Sequence, residues 1–167
     1  MRKIKIALLL CLISLLTHAQ NYQIPQVDWN DTSSYSRAEL TSIALKDIDW
    51  CYNTPMTTLK NTRQEVISFL MQWLSHSPDL NVSTHADIIK CNNNNLLSMF
   101  LLGRAKYNVE NKNTATEVKS ILAGAEFMMS FYDKNAGFFG KNKQIKKLQK
   151  QIATGKWEKK LVKQASR

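Results

Sequence analysis

The sequence predicts an all-α protein, a single domain of about five to six amphipathic helices in an irregular bundle, and three observations lead there. Ser36-x-x-Glu39, Thr62-x-x-Glu65 and Thr114-x-x-Glu117 each fit a capping box. In that motif a hydroxyl and a carboxylate reciprocally satisfy the orphan N–H groups of a first turn. Apolar residues then recur at helical spacing behind each of these starts. Valine and isoleucine lie along those helical faces, and no segment alternates apolar with polar residues as a half-buried strand does.

Taken in order, a first helix is expected over about 36–52, with Leu40, Ala44, Ile48 and Tyr52 at i, i+4 spacing and Pro55 beyond its end. A second is expected over 62–76, with Val66, Phe69, Leu70 and Trp73 on one face and Pro78 as its stop. A short helix should cover Ala86 to Cys91, and Asn92 to Asn95 then punctuate the chain. The next, over 95–110, is apolar nearly all round in its first half and reads as the central buried helix. Over 114–133, Val118, Ile121, Leu122, Ala125, Met128, Met129 and Tyr132 form a clean stripe. The Phe127, Met128, Met129, Phe131, Tyr132 cluster could line an apolar pocket, but at this spacing it reads as core. Gly137 and Gly140 mark a loop carrying Phe138 and Phe139. A last stretch runs over 141–153, breaks near Gly155 and resumes to about 165. Leu102-Gly103 with Tyr107 approaches a tetratricopeptide hairpin, but the tyrosine falls one residue late and no second copy follows; a plain αα-hairpin is the better reading.

The first nineteen residues read differently. Arg2, Lys3 and Lys5 precede an uncharged, mostly apolar run from Ile6 to Leu16, and Thr17-His18-Ala19 supplies small residues at −3 and −1. That is the layout of a secretory signal peptide cleaved near Gln20. The run is shorter than the roughly 20 residues a membrane span needs, so no transmembrane anchor is expected after cleavage. Leu10 precedes Cys11, where a lipoprotein signal wants a small residue. The expected organisation is signal peptide 1–19, an extended or flexible strap over 20–35, a helical body over 36–140 and a basic amphipathic C-terminus over 141–167. The protein is expected to be exported, to the periplasm or the medium.

Export changes the meaning of the cysteines. Cys51 and Cys91 remain as an isolated pair in an oxidising compartment, which makes them a disulfide candidate. A loop of about 40 residues closed this way would stabilise by roughly 4 kcal/mol in the chain-entropy treatment. The alternative is two buried thiols packed as small hydrophobes.

Charge is unevenly spread. Residues 20–140 hold ten basic and twelve acidic side chains, whereas 141–167 hold ten basic ones against Glu158 alone. Lys141, Lys143, Lys146, Lys147 and Lys150 surround Ile145, Leu148 and Ile152; Lys156, Lys159, Lys160 and Lys163 surround Trp157, Leu161 and Val162. Each apolar stripe can dock on the body while its lysines face outward, and such a face suits an anionic lipid surface or an acidic protein. Nucleic acid is an unlikely partner for an exported chain, although basic charge alone does not separate the two.

The sequence holds few signs of catalysis. His85, Asp87 and Cys91 lie close in sequence but match no metal-ligand spacing. Cys51 with His76 or His85 could make a thiolate–imidazole pair, but no surrounding motif supports it. Asp47 and Asp49 do not share a helical face and read as a solvated helix end. The sequence contains no P-loop, dinucleotide fingerprint or nucleophile elbow. No catalytic, cofactor or metal residue is therefore assigned.

Leu102-Gly103-Arg104-Ala105-Lys106-Tyr107, Phe131-Tyr132-Asp133-Lys134-Asn135, Gly140-Lys141-Asn142-Lys143 and Thr154-Gly155-Lys156-Trp157 together resemble small exported α-helical proteins of the Bacteroidota with no assigned activity. The Ala19-Gln20 junction is similar to theirs. The resemblance spans Phe100 to Lys163 and implies a compartment and a helical fold, with no catalytic residues. The resulting expectation is an exported, non-enzymatic helical protein that binds a protein or an anionic envelope component through its lysine-rich C-terminal face. The alternative is a small periplasmic hydrolase or an immunity-type inhibitor.

Overall fold

Ser36 opens the first helix as a complete capping box: its hydroxyl accepts from Glu39 N–H at 3.2 Å, and Glu39 Oε2 accepts from Ser36 N–H at 2.7 Å. From this start the computed structural model builds α1 over Arg37–Asn53. The structure describes residues 22–31, 35–77, 79–80, 82, 89 and 91–165. Six further helices follow among them: α2 (Lys60–Ser75), α3 (Asn94–Glu110), α4 (Glu117–Lys134), α5 (Ala136–Phe139), α6 (Lys143–Ala153) and α7 (Lys156–Ala165). No strand occurs among the described residues, and the all-α reading holds. The signal peptide over 1–19 lies outside the described residues, as do His85, Asp87 and most of the helix expected over 86–91. Ile89, from that stretch, is buried in the core.

The other two capping boxes do not form. α2 begins two residues before the expected cap, with Leu59 at its N-cap in the left-handed region (φ 48°) and no side-chain cap. Arg63 N–H closes the first i→i−4 bond of this helix, to Leu59 O at 2.9 Å, and its side chain donates to Cys51 O at the end of α1. Thr114 turns its hydroxyl to Asn111 O at 2.8 Å, so Thr116 caps α4 through Lys119 N–H at 3.4 Å. Glu117 then sits at the first position of α4 and is engaged by Arg104. Where a single turn was expected as a loop, Ala136–Phe139 winds into α5.

The helices pair in sequence as hairpins, with α3–α4 at the centre. α3 is buried almost all round, as its composition predicts. Two glycines let it close on α4. A Cβ at Gly103 would stand 2.5 Å from Phe127 Cβ, and one at Gly124 would stand 2.4 Å from Arg104 Cγ and 2.6 Å from Phe100 O. α1 and α2 pack on one side of this pair, and α6 and α7 dock on α4. A single continuous core runs from Leu40 on α1 to Leu161 on α7, and Met128, Met129, Phe131 and Tyr132 belong to it.

The segment before α1 is pinned to the body. Tyr22 stacks on Trp50 at 4.5 Å and Trp29 stacks on His76 at 5.1 Å, while Ile24, Val27 and Tyr35 pack against the core. Tyr22 also donates its hydroxyl to Asp47 Oδ1.

Candidate functional site

The C-terminal hairpin is held by its joints. Tyr132 at the end of α4 donates its hydroxyl to Gly140 O at 2.6 Å and accepts from Asn142 N–H at 3.0 Å. Asn142 in turn caps α6, its Oδ1 accepting from the N–H groups of Gln144 and Ile145 at 2.9 and 3.1 Å. Gln149 donates back to both carboxylate oxygens of Asp133 on α4, at 3.2 and 3.1 Å. The chain then turns at Gly155, whose φ of +65° suits a residue without a side chain, and α7 starts at Lys156.

Ile145, Leu148, Trp157 and Leu161 are buried. Ile152 is half-buried. Val162, expected in the docked stripe, is instead 53% exposed, because the turn at Gly155 sets Trp157 and Leu161 toward α4 and leaves Val162 outside. Lys141, Lys143, Lys146, Lys147, Lys150, Lys156, Lys159, Lys160 and Lys163 are all exposed. The hairpin therefore presents nine lysines on the outside of an apolar seam. Between its helices lies a cleft of about 260 Å³, with Leu148, Trp157 and Ile89 in its walls and Gln144, Gln151, Lys147 and Lys160 completing the lining. Cationic side chains beside an apolar floor suit an anionic group that carries hydrocarbon.

One signal in the sequence escapes a reading by charge count alone. Lys143-Gln-Ile-Lys146-Lys147-Leu148-Gln-Lys150 and Lys156-Trp-Glu-Lys159-Lys160-Leu161-Val-Lys163 are two copies of K-x-x-K-K-L-x-K. The structure starts a helix at the first lysine of each copy and buries the leucine of each. The spacing places like charges at i, i+4 four times: 143 with 147, 146 with 150, 156 with 160 and 159 with 163. Each such pair costs a helix a few tenths of a kcal/mol. Lys143 and Lys156 also occupy first positions, where the helix dipole disfavours a cation. Lys150 and Lys163, in the last turns, suit the dipole, but helix stability does not account for the lysines at the first positions or for the i, i+4 spacing.

The cysteines lie elsewhere, and the expected disulfide is not formed: both are free thiols. Cys51 is buried on α1, and that burial pushes its thiol up to about 12, with Arg63 opposing the rise. Cys91 is half-buried; desolvation raises its thiol while the Asn93 backbone lowers it. Neither is a ready thiolate at neutral pH. His76 is exposed, its Nδ1 within hydrogen-bond distance of Gln72 O (2.9 Å) and Ser75 Oγ (3.1 Å). Among the described residues, no three His, Cys, Asp or Glu side chains come together as a metal-ligand set.

The Asp47–Asp49 pair requires a correction. Asp49 is exposed and pairs with Lys106 at 3.1 Å, as a solvated helix end would. Asp47 is only 3% exposed, because the strap covers it with Tyr22. Burial raises its carboxyl above the ordinary range, and the Tyr22 hydroxyl partly opposes the rise. Arg63 and Arg104 are buried too. Arg104 donates to Glu117 Oε1 at 2.7 Å and to Ser120 Oγ at 3.3 Å. These groups hold helices together, and none of them lines a described cleft with a nucleophile.

No family model, curated protein or solved structure matches this chain.

Proposed function

We propose that this is an exported, non-enzymatic binding protein, periplasmic or secreted, whose C-terminal hairpin engages an anionic component of the cell envelope. The same proposal places it with the small exported helical proteins of the Bacteroidota that its later half resembles. The observation that carries it is the doubled K-x-x-K-K-L-x-K pattern. The pattern keeps a leucine for docking in each copy, opens each helix on a lysine that the dipole disfavours, and sets further lysines at like-charge i, i+4 spacing, while Lys150 and Lys163 in the last turns suit the dipole. Such spacing is supported by an outside partner that neutralises it, since attraction to an anionic surface amounts to about 1 kcal/mol per lysine near that surface.

The test is co-sedimentation of the chain lacking residues 1–19 with particles bearing anionic groups, across a salt series. Retention at low salt that falls as salt rises is the expected result. Replacing Lys146, Lys147, Lys159 and Lys160 by Gln should abolish most of it while the far-ultraviolet circular dichroism stays unchanged. Equal retention of this variant and the parent would refute the assignment.

A further inference from the structure

The short helix α5 carries two adjacent phenylalanines with opposite fates. Phe139 folds inward, stacked on Tyr132 at 5.9 Å and edge-on to Phe131 at 5.9 Å. Phe138 stays out, 50% exposed, touching Phe139 edge-on at 5.1 Å. The turn that presents it is fixed on its far side, because the Tyr132 hydroxyl ties Gly140 O and Asn142 N–H together. On its near side the surroundings are open: a Cβ built at Gly137 meets nothing within 4 Å. Lys141 and Lys143 follow the turn in sequence and are exposed, whereas Lys134 before it turns to α1, its Nζ donating to Asn53 Oδ1 at 2.9 Å and lying 4.2 Å from the centre of the Tyr52 ring. An exposed aromatic ring at the tip of a braced turn, followed in sequence by exposed cations, is the chemistry that settles at the boundary between lipid headgroups and acyl chains. A pocket on an acidic protein would more suitably meet such a ring with an apolar rim around it, whereas the exposed residues that follow this turn include Lys141 and Lys143. No described helix is long and apolar enough to cross a membrane, so any attachment through these residues is peripheral.

We infer that Phe138 is an insertion anchor for an anionic bilayer, working beside the lysine face. This rests on the reading that the C-terminal lysines engage an anionic partner, and it identifies that partner as a lipid surface. The lysines supply the salt-sensitive part of the attachment and Phe138 supplies an apolar, salt-resistant part.

The experiment compares the chain lacking residues 1–19 with its Phe138→Ala and Phe138→Trp variants. The probes are vesicles of phosphatidylcholine with phosphatidylglycerol, vesicles of phosphatidylcholine alone, and immobilised poly-glutamate. Phe138→Ala should bind the anionic vesicles roughly five- to tenfold more weakly, from the lost burial of one ring, with the same dependence on salt. Its binding to poly-glutamate should be unchanged. Phe138→Trp should bind like the parent, and its added emission should shift to the blue and be quenched by brominated lipid. Because the side chain is exposed, both variants should keep the parent's circular dichroism. If Phe138→Ala binds anionic vesicles as tightly as the parent, the anchor is refuted while the lysine reading stands. Parent binding to poly-glutamate but not to vesicles refutes the lipid assignment alone. Binding to neither refutes both.

Discussion

Arg63 of α2 reaches back to the last turn of α1 and donates Nη1–H to the carbonyl oxygen of Cys51 at 2.7 Å. Its Nη2 donates to Thr54 O and, at 3.4 Å, to Pro55 O. The last carbonyls of a helix have no partner inside it, and here a buried guanidinium from the next helix meets the one at Cys51 and the one at the cap, Thr54. The plane of the same group lies over Trp50 at 5.7 Å and Phe131 at 5.8 Å, so one side chain joins α1, α2 and α4. Arg63→Ala should therefore cost about 3 kcal/mol of unfolding free energy in urea, more than a typical surface substitution, because it leaves the buried Cys51 carbonyl and the half-buried Thr54 carbonyl without the guanidinium, while Pro55 O keeps its bonds from Thr58. Arg63→Lys should recover part of that loss, since an ammonium can meet one carbonyl but not the fork of three. A loss under 1 kcal/mol for the alanine variant would show that water replaces the guanidinium without penalty.

Gly124 governs how closely the central hairpin closes. An added Cβ would overlap the stem of Arg104 and, more seriously, the backbone oxygen of Phe100 at 2.6 Å. The arginine stem can swing aside, but the α3 backbone can yield only by moving the helix. Gly124→Ala should destabilise by about 1–3 kcal/mol, against the small gain that alanine brings to a helix interior. The same substitution at Gly137 should leave stability within about 0.5 kcal/mol, because nothing stands in its way. Urea denaturation of the two variants side by side separates packing from propensity.

The helices were legible in the sequence, and their joints were not. Apolar spacing and the composition of α3 place α1, α2, α3, α6 and α7 within about two residues of their observed ends. The boxes at Thr62 and Thr114 mislead because a capping motif is local, while the true starts answer to distant partners. Arg63 ties the start of α2 to the end of α1, and Arg104 takes Glu117 out of the box. Asp47, Arg63 and Arg104 look like surface charges in a linear reading. Each is buried because the chain brings a partner from another element: Tyr22 from the strap, the end of α1, and the start of α4. At the basic face the lysines themselves were plain, but their doubled register stands out only once α6 and α7 are seen to start at equivalent residues.

Asp47 gives stability a dependence on pH. Desolvation holds its carboxyl above the ordinary value in the folded chain, so the folded state keeps the proton to higher pH than the unfolded state does. Its contribution is fully present below the unfolded carboxylate range, roughly pH 4, and is lost as pH rises through the raised folded value. Asp47→Asn removes this loss and can still accept the Tyr22 hydroxyl. At pH 7 the variant should be as stable as the parent or more so, by roughly 1 kcal/mol, and the difference should close toward pH 4. Glu39, whose carboxyl the Ser36 backbone and hydroxyl hold below the ordinary value, works in the opposite direction in both proteins and cancels in the comparison. A constant offset between the two stability curves would assign Asp47 no titration of its own.

Lys143 and Lys156 allow helix stability to be separated from partner binding. Each opens its helix, and each has a lysine four residues on and another three residues on. Glutamate at either place would reverse all three unfavourable terms. It would complement the helix dipole, and it would turn the i, i+4 repulsion into a pair in the preferred order, acid before base. Both side chains are exposed, so no packing is lost. The double variant Lys143→Glu/Lys156→Glu should therefore gain about 1 kcal/mol in urea denaturation. Over the same change the C-terminal hairpin loses four units of positive charge, and retention on anionic vesicles at low salt should fall by at least tenfold. A variant that is more stable yet binds less well is the expected signature of lysines placed for a partner. Should stability fall along with binding, the lysines would belong to the fold, and the doubled pattern would carry no functional meaning.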